Sequence, residues 1–508
     1  MNDSIMDDKR LIHDNLAALG RSGAQDRPWI HRWYILAYCF APALLVLLTS
    51  RYADDASALV LTGQFALAAG TYAALHALKH RPLLNPVQAI VLLFHWWFAI
   101  GPGIAVIFAV HRGDHDLLSQ YVASGGEALW TVAFGLPWYA FCANQTILLS
   151  RGVIRPAAFL QPEGILYRPR TILAYWMFGG LMSLAVAGFS RMGFAGNQAV
   201  NYLGGTVSEN WFVSLLQALS AVALFATIGV MGYLAGPVKE RSRPFALIAI
   251  GAILLNAITA FVSGWKGAVV ISFVLLFILM LVWRQKAPIA AFLVLAVFYL
   301  ALLEPVVTQM RFAAEAARIT TPEERTELFK LAISNGIAME DLQEKEINIE
   351  SPFRYIYGYA GRIAAESSLF DGPWSGTLSN GLAVLVPRAL YPDKPDSNMG
   401  NYIAQQIEAV GLDDYTTNIG VSIPFEFTGN YGHLAGILSF GLIGVLWTML
   451  CVWLLSEDRL ATHPLSPLLI VYSLGMEASA GQFLAKLRDL PIVLGAAYLL
   501  WVLLKKRL

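Results

Sequence analysis

The chain has 508 residues, 57% of them hydrophobic and 14% charged, where ordinary soluble domains run to about 45–50% and about 25%. With a mean hydropathy of +0.56, it carries too little charge to coat the several domains a soluble chain of this length would form, so the soluble enzyme classes are excluded. Lys+Arg and Asp+Glu are 35 each, so the net charge is zero and names no partner; only the placement of the charges can.

The first 28 residues are polar and mixed in charge, and lack the apolar core of a cleavable signal peptide. Residues 1–30 read as a short cytosolic tail. A membrane span needs about 20 mainly apolar residues. Twelve stretches qualify: 33–50, 57–77, 84–110, 127–149, 171–190, 211–236, 244–262, 267–283, 288–304, 433–455, 464–481 and 490–504. The expected fold is therefore all-α and polytopic, with spans one to nine in 31–304 and spans ten to twelve in 433–508. The three cysteines, Cys39, Cys142 and Cys451, each lie in an apolar run, which leaves no disulfide framework or zinc spacing.

Lys and Arg favour the inner side of short loops. With the N-terminus inside, inner segments hold 20 of the 35 cations and the short outer loops hold 6, among them Lys486 and Arg488. The bias predicts both ends inside and twelve spans, because an odd count would put Lys505, Lys506 and Arg507 outside. The other 9 cations sit in one outer segment, 305–432. Loops of that length are functional or disordered, and this one is rich in aromatic residues, which must pack or bind something. Thr321-Pro322-Glu323-Glu324 predicts a helix start, and the helix that follows is expected to lie flat at the interface. Residues 351–370 read as a second helix. The apolar run Leu382–Val386 is too short to span and reads as a re-entrant piece. No internal repeat of the kind found in many transporters is visible.

Several groups in and near this segment can carry chemistry. In Val386-Pro387-Arg388-Ala389-Leu390-Tyr391-Pro392-Asp393-Lys394-Pro395, three prolines stiffen the backbone around Arg388 and Lys394. A rigid planar fork beside a point charge suits a phosphate or pyrophosphate. The bland alternative is Arg388 snorkelling to lipid headgroups and Lys394 paired with Asp393. On a helix, Arg354, Gly358, Gly361 and Arg362 share one face, so two guanidiniums flank bare backbone, with Tyr355 and Tyr359 at the sides as sugar-stacking candidates. Simple pairing of Arg362 with Glu366 and of Arg354 with Glu350 is the alternative. Lys266, in Gly264-Trp265-Lys266-Gly267, sits between two spans at the outer interface, where an ionisable residue is a functional suspect or merely snorkels to water. Arg311 lies about two turns beyond Glu304 and faces a site above the membrane unless it pairs with Glu315. Glu426, between Phe425 and Phe427 just before span ten, is placed for desolvation to raise its pKa, which makes it a candidate general acid or base. His433 opens that span and has the same potential; an aromatic interfacial belt with Glu426 exposed is the other reading.

No nucleotide-binding Gly-rich loop, no His-Glu-x-x-His and no cytosolic domain able to hold a nucleotide-sugar is present. An enzyme of this design must use a donor already in the membrane, and no nucleic-acid partner is expected.

This layout resembles bacterial O-antigen or oligosaccharide repeat-unit polymerases, which are multi-span inner-membrane proteins with a large periplasmic loop in the C-terminal third. Pro387-Arg388, Lys394-Pro395 and Phe427-Thr428-Gly429-Asn430-Tyr431-Gly432 match elements of that loop, and Lys266 resembles a cation at a short outer turn, with Lys in place of Arg. The resemblance implies a polyprenyl-pyrophosphate-linked oligosaccharide as substrate, the bilayer and a chain-length regulator protein as partners, and a site on the periplasmic face. It implies that Arg388, Lys394, Arg362 and Arg354, with Arg311 and Lys266 behind them, stabilise the leaving pyrophosphate, and that Glu426 or His433 orients or deprotonates the acceptor. No metal and no cofactor is expected, because fixed cations can take the metal's place. A lipid-linked glycan flippase and an O-antigen ligase-like glycosyltransferase are the alternatives.

Overall fold

The computed structural model describes residues 28–49, 57–78, 85–101, 115–151, 153–154, 169–191, 211–226, 377–386, 390–391, 422–457, 460, 465–477 and 479–505. Among these residues the regular structure is helical, with no strand. Among the described residues, three helical stretches are long and apolar enough to cross a membrane: Ala128–Ser150, His433–Leu455 and Ala480–Leu504. Ile35–Leu48, Pro86–Ile100 and Thr171–Val186 are shorter apolar helices. The expected spans within 244–304 and the expected helices of 321–370 lie outside the described residues.

The described helices fall into two compact units. The first holds α1 (Pro28–Thr49), α2 (Ser57–Ala77), α3 (Pro86–His95, continued by a π turn Trp96–Ile100), α4 (His115–Ser150), α7 (Thr377–Ala383), α8 (Ile423–Tyr431), α9 (His433–Leu455), α10 (Ser466–Ser473) and the start of α11 (Ala480–Lys505). The second holds α5 (Pro169–Arg191), α6 (Trp211–Ser220) and the rest of α11 from Leu490.

In the first unit α4 and α9 form the central pair. Small residues let them close up, which is how helices associate where lipid gives no hydrophobic drive. The ring of Phe440 occupies the space that a side chain at Gly135 would fill. A Cβ at Gly444 would stand 2.7 Å from the Tyr139 carbonyl oxygen. Lower down, Arg151 Nε donates to both carboxylate oxygens of Glu457, at 2.8 and 3.0 Å. The order Thr131–His433, Gly135–Phe440, Tyr139–Gly444, Arg151–Glu457 rises along both helices, so the two run parallel.

α3 runs the other way, with Phe94 against Phe440 and the Pro86 carbonyl accepting Trp447 Nε1–H at 2.9 Å. Its start is fixed by Asn85, whose side chain accepts the Val87 and Gln88 N–H groups at 2.9 Å each, with Pro86 at the first helical position. Tyr139 O–H closes the same corner by donating to the Val87 carbonyl at 2.8 Å. Buried His95 sits between the Thr71 hydroxyl at 3.0 Å and the Tyr38 carbonyl at 3.1 Å. The carbonyl can only accept, so Nε2 carries the proton and Nδ1 accepts from Thr71. Both ring nitrogens are therefore used in packing.

In the second unit, Tyr175 O–H donates to the Ala497 carbonyl at 3.2 Å and the Tyr175 ring meets Phe225. α5 also closes on the segment just past α6: a Cβ at Gly179 would stand 2.6 Å from Ala223.

Two features differ from the sequence reading. The stretch read as one span, 464–481, is broken: α10 passes into the 3₁₀ turn Leu474–Glu477, and α11 starts afresh at Ala480. The first piece rises roughly 20 Å, short of the ~30 Å hydrocarbon core. Lys486 and Arg488, assigned to a short outer loop, lie within α11. No glycine or proline interrupts Gln482–Leu490, and Phe483 and Leu490 are buried on the inner face, so charge alone did not mark a loop there.

Candidate functional site

The described part of the candidate site is built around Glu426 on α8. Pro424 stands at the start of this helix, and Gly432, at φ 87°, ends it. The turn folds α8 back along the first turns of α9, so that Thr428 and the Pro424 carbonyl both face Gly436. Phe425 is fully buried against Phe98. The result is a carboxylate with 0% exposure, set beside the upper end of the α4–α9 pair.

Glu426 Oε2 accepts the Ala480 N–H at 2.7 Å, the first amide of α11. A helix N-terminus leaves its amides unpaired and carries partial positive charge, so a carboxylate is stabilised there. Ser479 caps the same end through Oγ, which accepts the Gln482 N–H at 3.4 Å. The Thr377 hydroxyl of α7 also faces the carboxylate. It accepts Asn430 Nδ2–H at 2.8 Å, and Asn430 in turn donates to the Glu426 carbonyl at 2.8 Å. Burial pushes the Glu426 carboxyl above its usual range, and the Ala480 N–H and Thr377 hydroxyl pull in the opposite direction. Glu426 Oε1 has no hydrogen-bond partner among the described residues.

A second oddity lies one turn earlier. Ser422 occupies the N-cap position of α8, yet its side chain makes no cap hydrogen bond. Its φ is 63°, a conformation that costs a non-glycine residue about 1–3 kcal/mol. Its hydroxyl is buried and has no partner among the described residues.

α7 forms one wall. A Cβ at Gly381 would stand 3.1 Å from the Gly481 nitrogen, so α7 meets the first turn of α11 backbone to backbone. Arg488 fixes the far end of this segment: Nη1 donates to the Val384 carbonyl at 3.1 Å, and Nε to Asp489 Oδ1 at 3.0 Å. The expected re-entrant run 382–386 is thus a short helix end and turn docked on α11.

His433 is exposed at the first position of α9, with Nδ1 3.4 Å from Thr131 Oγ1 on α4. Glu426 instead turns to α7 and α11, so the two expected acid–base candidates face different neighbours. Arg388, Lys394, Arg354, Arg362, Arg311, Lys266, Tyr355 and Tyr359 lie outside the described residues. Leu390 and Tyr391, in the same proline-rich run as Arg388, are exposed. Sequence reasoning gave no site role to Ser422, Thr377, Asn430 or Arg488. Asn430 alone carried a local signal, because it stands four residues after Glu426 and shares its helix face.

A buried carboxylate with one oxygen fixed and the other unpartnered can take up or release a proton without losing its anchor. It also serves as an electrostatic cap for α11. Among the described residues no group of His, Cys, Asp and Glu side chains is arranged to hold a metal.

A family model described as a domain of unknown function, DUF8712, matches residues 198–451, half of the chain, and the chain belongs to that family. No curated protein and no solved structure matches it.

Proposed function

We propose that this member of the DUF8712 family is a polysaccharide polymerase that joins polyprenyl-pyrophosphate-linked oligosaccharide repeat units on the periplasmic face of the bacterial inner membrane. The observation that carries the reading is Glu426, a buried carboxylate with a raised pKa and one unpartnered oxygen, next to the segment that leads into Pro387-Arg388. In this mechanism the hydroxyl oxygen of an acceptor sugar attacks the anomeric carbon of the donor unit. Its proton passes to Glu426, or to His433 if that group is the base. The bond from the anomeric carbon to the pyrophosphate oxygen breaks, and both electrons leave with the polyprenyl pyrophosphate. Arg388, Arg354, Arg362 and Lys394, with Arg311 and Lys266 at the edge, offset the charge that develops on that leaving group. Tyr355 and Tyr359 stack on the sugars.

The proposed topology places the N-terminus inside and an odd number of spans between α4 and α9. The parallel run of α4 and α9 supports it, because two parallel spans need an odd number of crossings between them. Five are read between 151 and 432.

The test is Arg388→Ala in cells, with surface polysaccharide resolved on a gel. Long chains are expected to vanish while the single-unit product persists; normal chain lengths in a well-expressed variant overturn the role. Glu426→Gln is expected to slow polymerisation by about 10²- to 10⁴-fold.

One observation favours a second reading, a lipid-linked glycan flippase. The break between Glu477 and Ala480 leaves a helix N-terminus inside the bundle facing an ionisable residue, as in transporters with discontinuous helices. Movement of labelled lipid-linked units across vesicles without chain growth would select the flippase.

A further inference from the structure

We propose that Ser422 and Glu426 form a subsite that holds one hydroxyl of a carbohydrate ligand. Ser422 Oγ–H donates to the oxygen of that hydroxyl, and Glu426 Oε1 accepts its hydrogen. The proposal rests on the polymerase reading and names the contact that the acceptor sugar makes.

Three observations carry it. First, Ser is among the best N-cap residues, yet Ser422 caps nothing: its φ of 63° accompanies a hydroxyl left off the α8 amides. Second, that hydroxyl and Glu426 Oε1 are both buried and both without a partner among the described residues. Buried polar atoms are nearly always hydrogen-bonded, so two such atoms close in sequence mark a place for a missing partner. Third, the Glu426 N–H donates to the Ser422 carbonyl at 3.1 Å, so the two residues are one helical turn apart.

The chemistry of the pair selects the ligand. A carboxylate only accepts, whereas a serine hydroxyl can donate, so one hydroxyl satisfies both at once. A neutral hydroxyl also brings no second charge into a buried site. A hard divalent cation such as calcium needs 6–8 oxygens, and this pair supplies two.

The full-length protein in detergent is the material for the test, with lipid-linked repeat units as substrate and Ser422→Gly, Ser422→Ala and Ser422→Thr as variants. Loss of one neutral hydrogen bond predicts a drop of about 3- to 10-fold in kcat/KM, carried mainly by the acceptor KM, for the Gly and Ala variants. Ser422→Thr restores the value. Ser422→Gly also raises the unfolding temperature, because glycine accepts positive φ without strain; a purely structural serine would not couple higher stability to weaker acceptor binding. An unchanged acceptor KM in Ser422→Ala overturns the subsite. So does sodium-dependent stabilisation of the wild type that Ser422→Ala abolishes, which assigns the pair to a cation. If Arg388→Ala and Glu426→Gln stop chain growth while Ser422→Ala does not change it, the subsite fails and the polymerase reading stands. If none of the three changes chain growth, both fail.

Discussion

At Glu426 two opposed influences set the proton equilibrium: burial raises the pKa, while the Ala480 N–H and the Thr377 hydroxyl lower it. Burial dominates, so the folded protein holds this proton more tightly than the unfolded chain, whose glutamates titrate near about 4.3. Between that value and the raised folded value the native state binds the extra proton. The stability from this group is therefore complete below the unfolded value and is lost as pH rises through the folded value. A general base works the other way, because it must be ionised, so under the polymerase reading chain growth is expected to rise with pH over the same window. Thermal unfolding and activity measured across that range should show opposite slopes, and Glu426→Gln should flatten the stability slope. A wild-type melting temperature that climbs with pH through the window would mean that the carboxylate, not the acid, is the form the fold prefers.

Among the elements, α7 is a seven-residue helix that cannot bury much surface by itself. It stays in place through Thr377 beside Glu426, the close approach of Gly381 to Gly481, and the Arg488–Val384 hydrogen bond. Each of these reaches α8 or α11. Gly381→Val, whose Cβ would press on the Gly481 backbone at 3.1 Å, is expected to lower the melting temperature, and an unchanged melting temperature in well-expressed protein would refute the docking of α7 on α11. The sequence showed the apolar run 382–386 and its shortness. It did not show the docking, because the partner glycine stands about 100 residues away and neither glycine has a side chain to advertise the contact.

For the whole molecule, the parallel α4–α9 pair puts residues 151 and 457 at the same end of the two helices. Arg151 and Glu457 meet at one end, and the antiparallel α3 begins at that same end with Pro86 against Trp447. Reporter fusions after residues 154 and 457 are expected to report the same side of the membrane, and the inner one under the Lys/Arg bias. Opposite signals would rule out the parallel arrangement. The exposed Arg151–Glu457 pair is a marker of this register and a minor contributor to stability, since exposed pairs are worth about 0–1 kcal/mol.

Composition alone determined that the chain belongs in a membrane, because a 57% hydrophobic sequence has no soluble way to hide its apolar surface. Hydropathy also placed most of the described helices, including α9 to the residue, since each is a continuous apolar run with polar ends. Glu426 was legible as a candidate, because a carboxylate between two phenylalanines can be desolvated; its burial came from the fold. Tertiary structure decided what surrounds it. The Ala480 amide, Thr377 and the α11 N-terminus come from positions about 50 residues away on either side, and backbone groups leave no mark in a residue pattern. The break at Glu477–Ala480 and the helical placement of Lys486 and Arg488 escaped the sequence for a related reason. Charge there is satisfied by neighbours, with Arg488 bonded to Val384 and Asp489, and a paired charge does not require a loop in water.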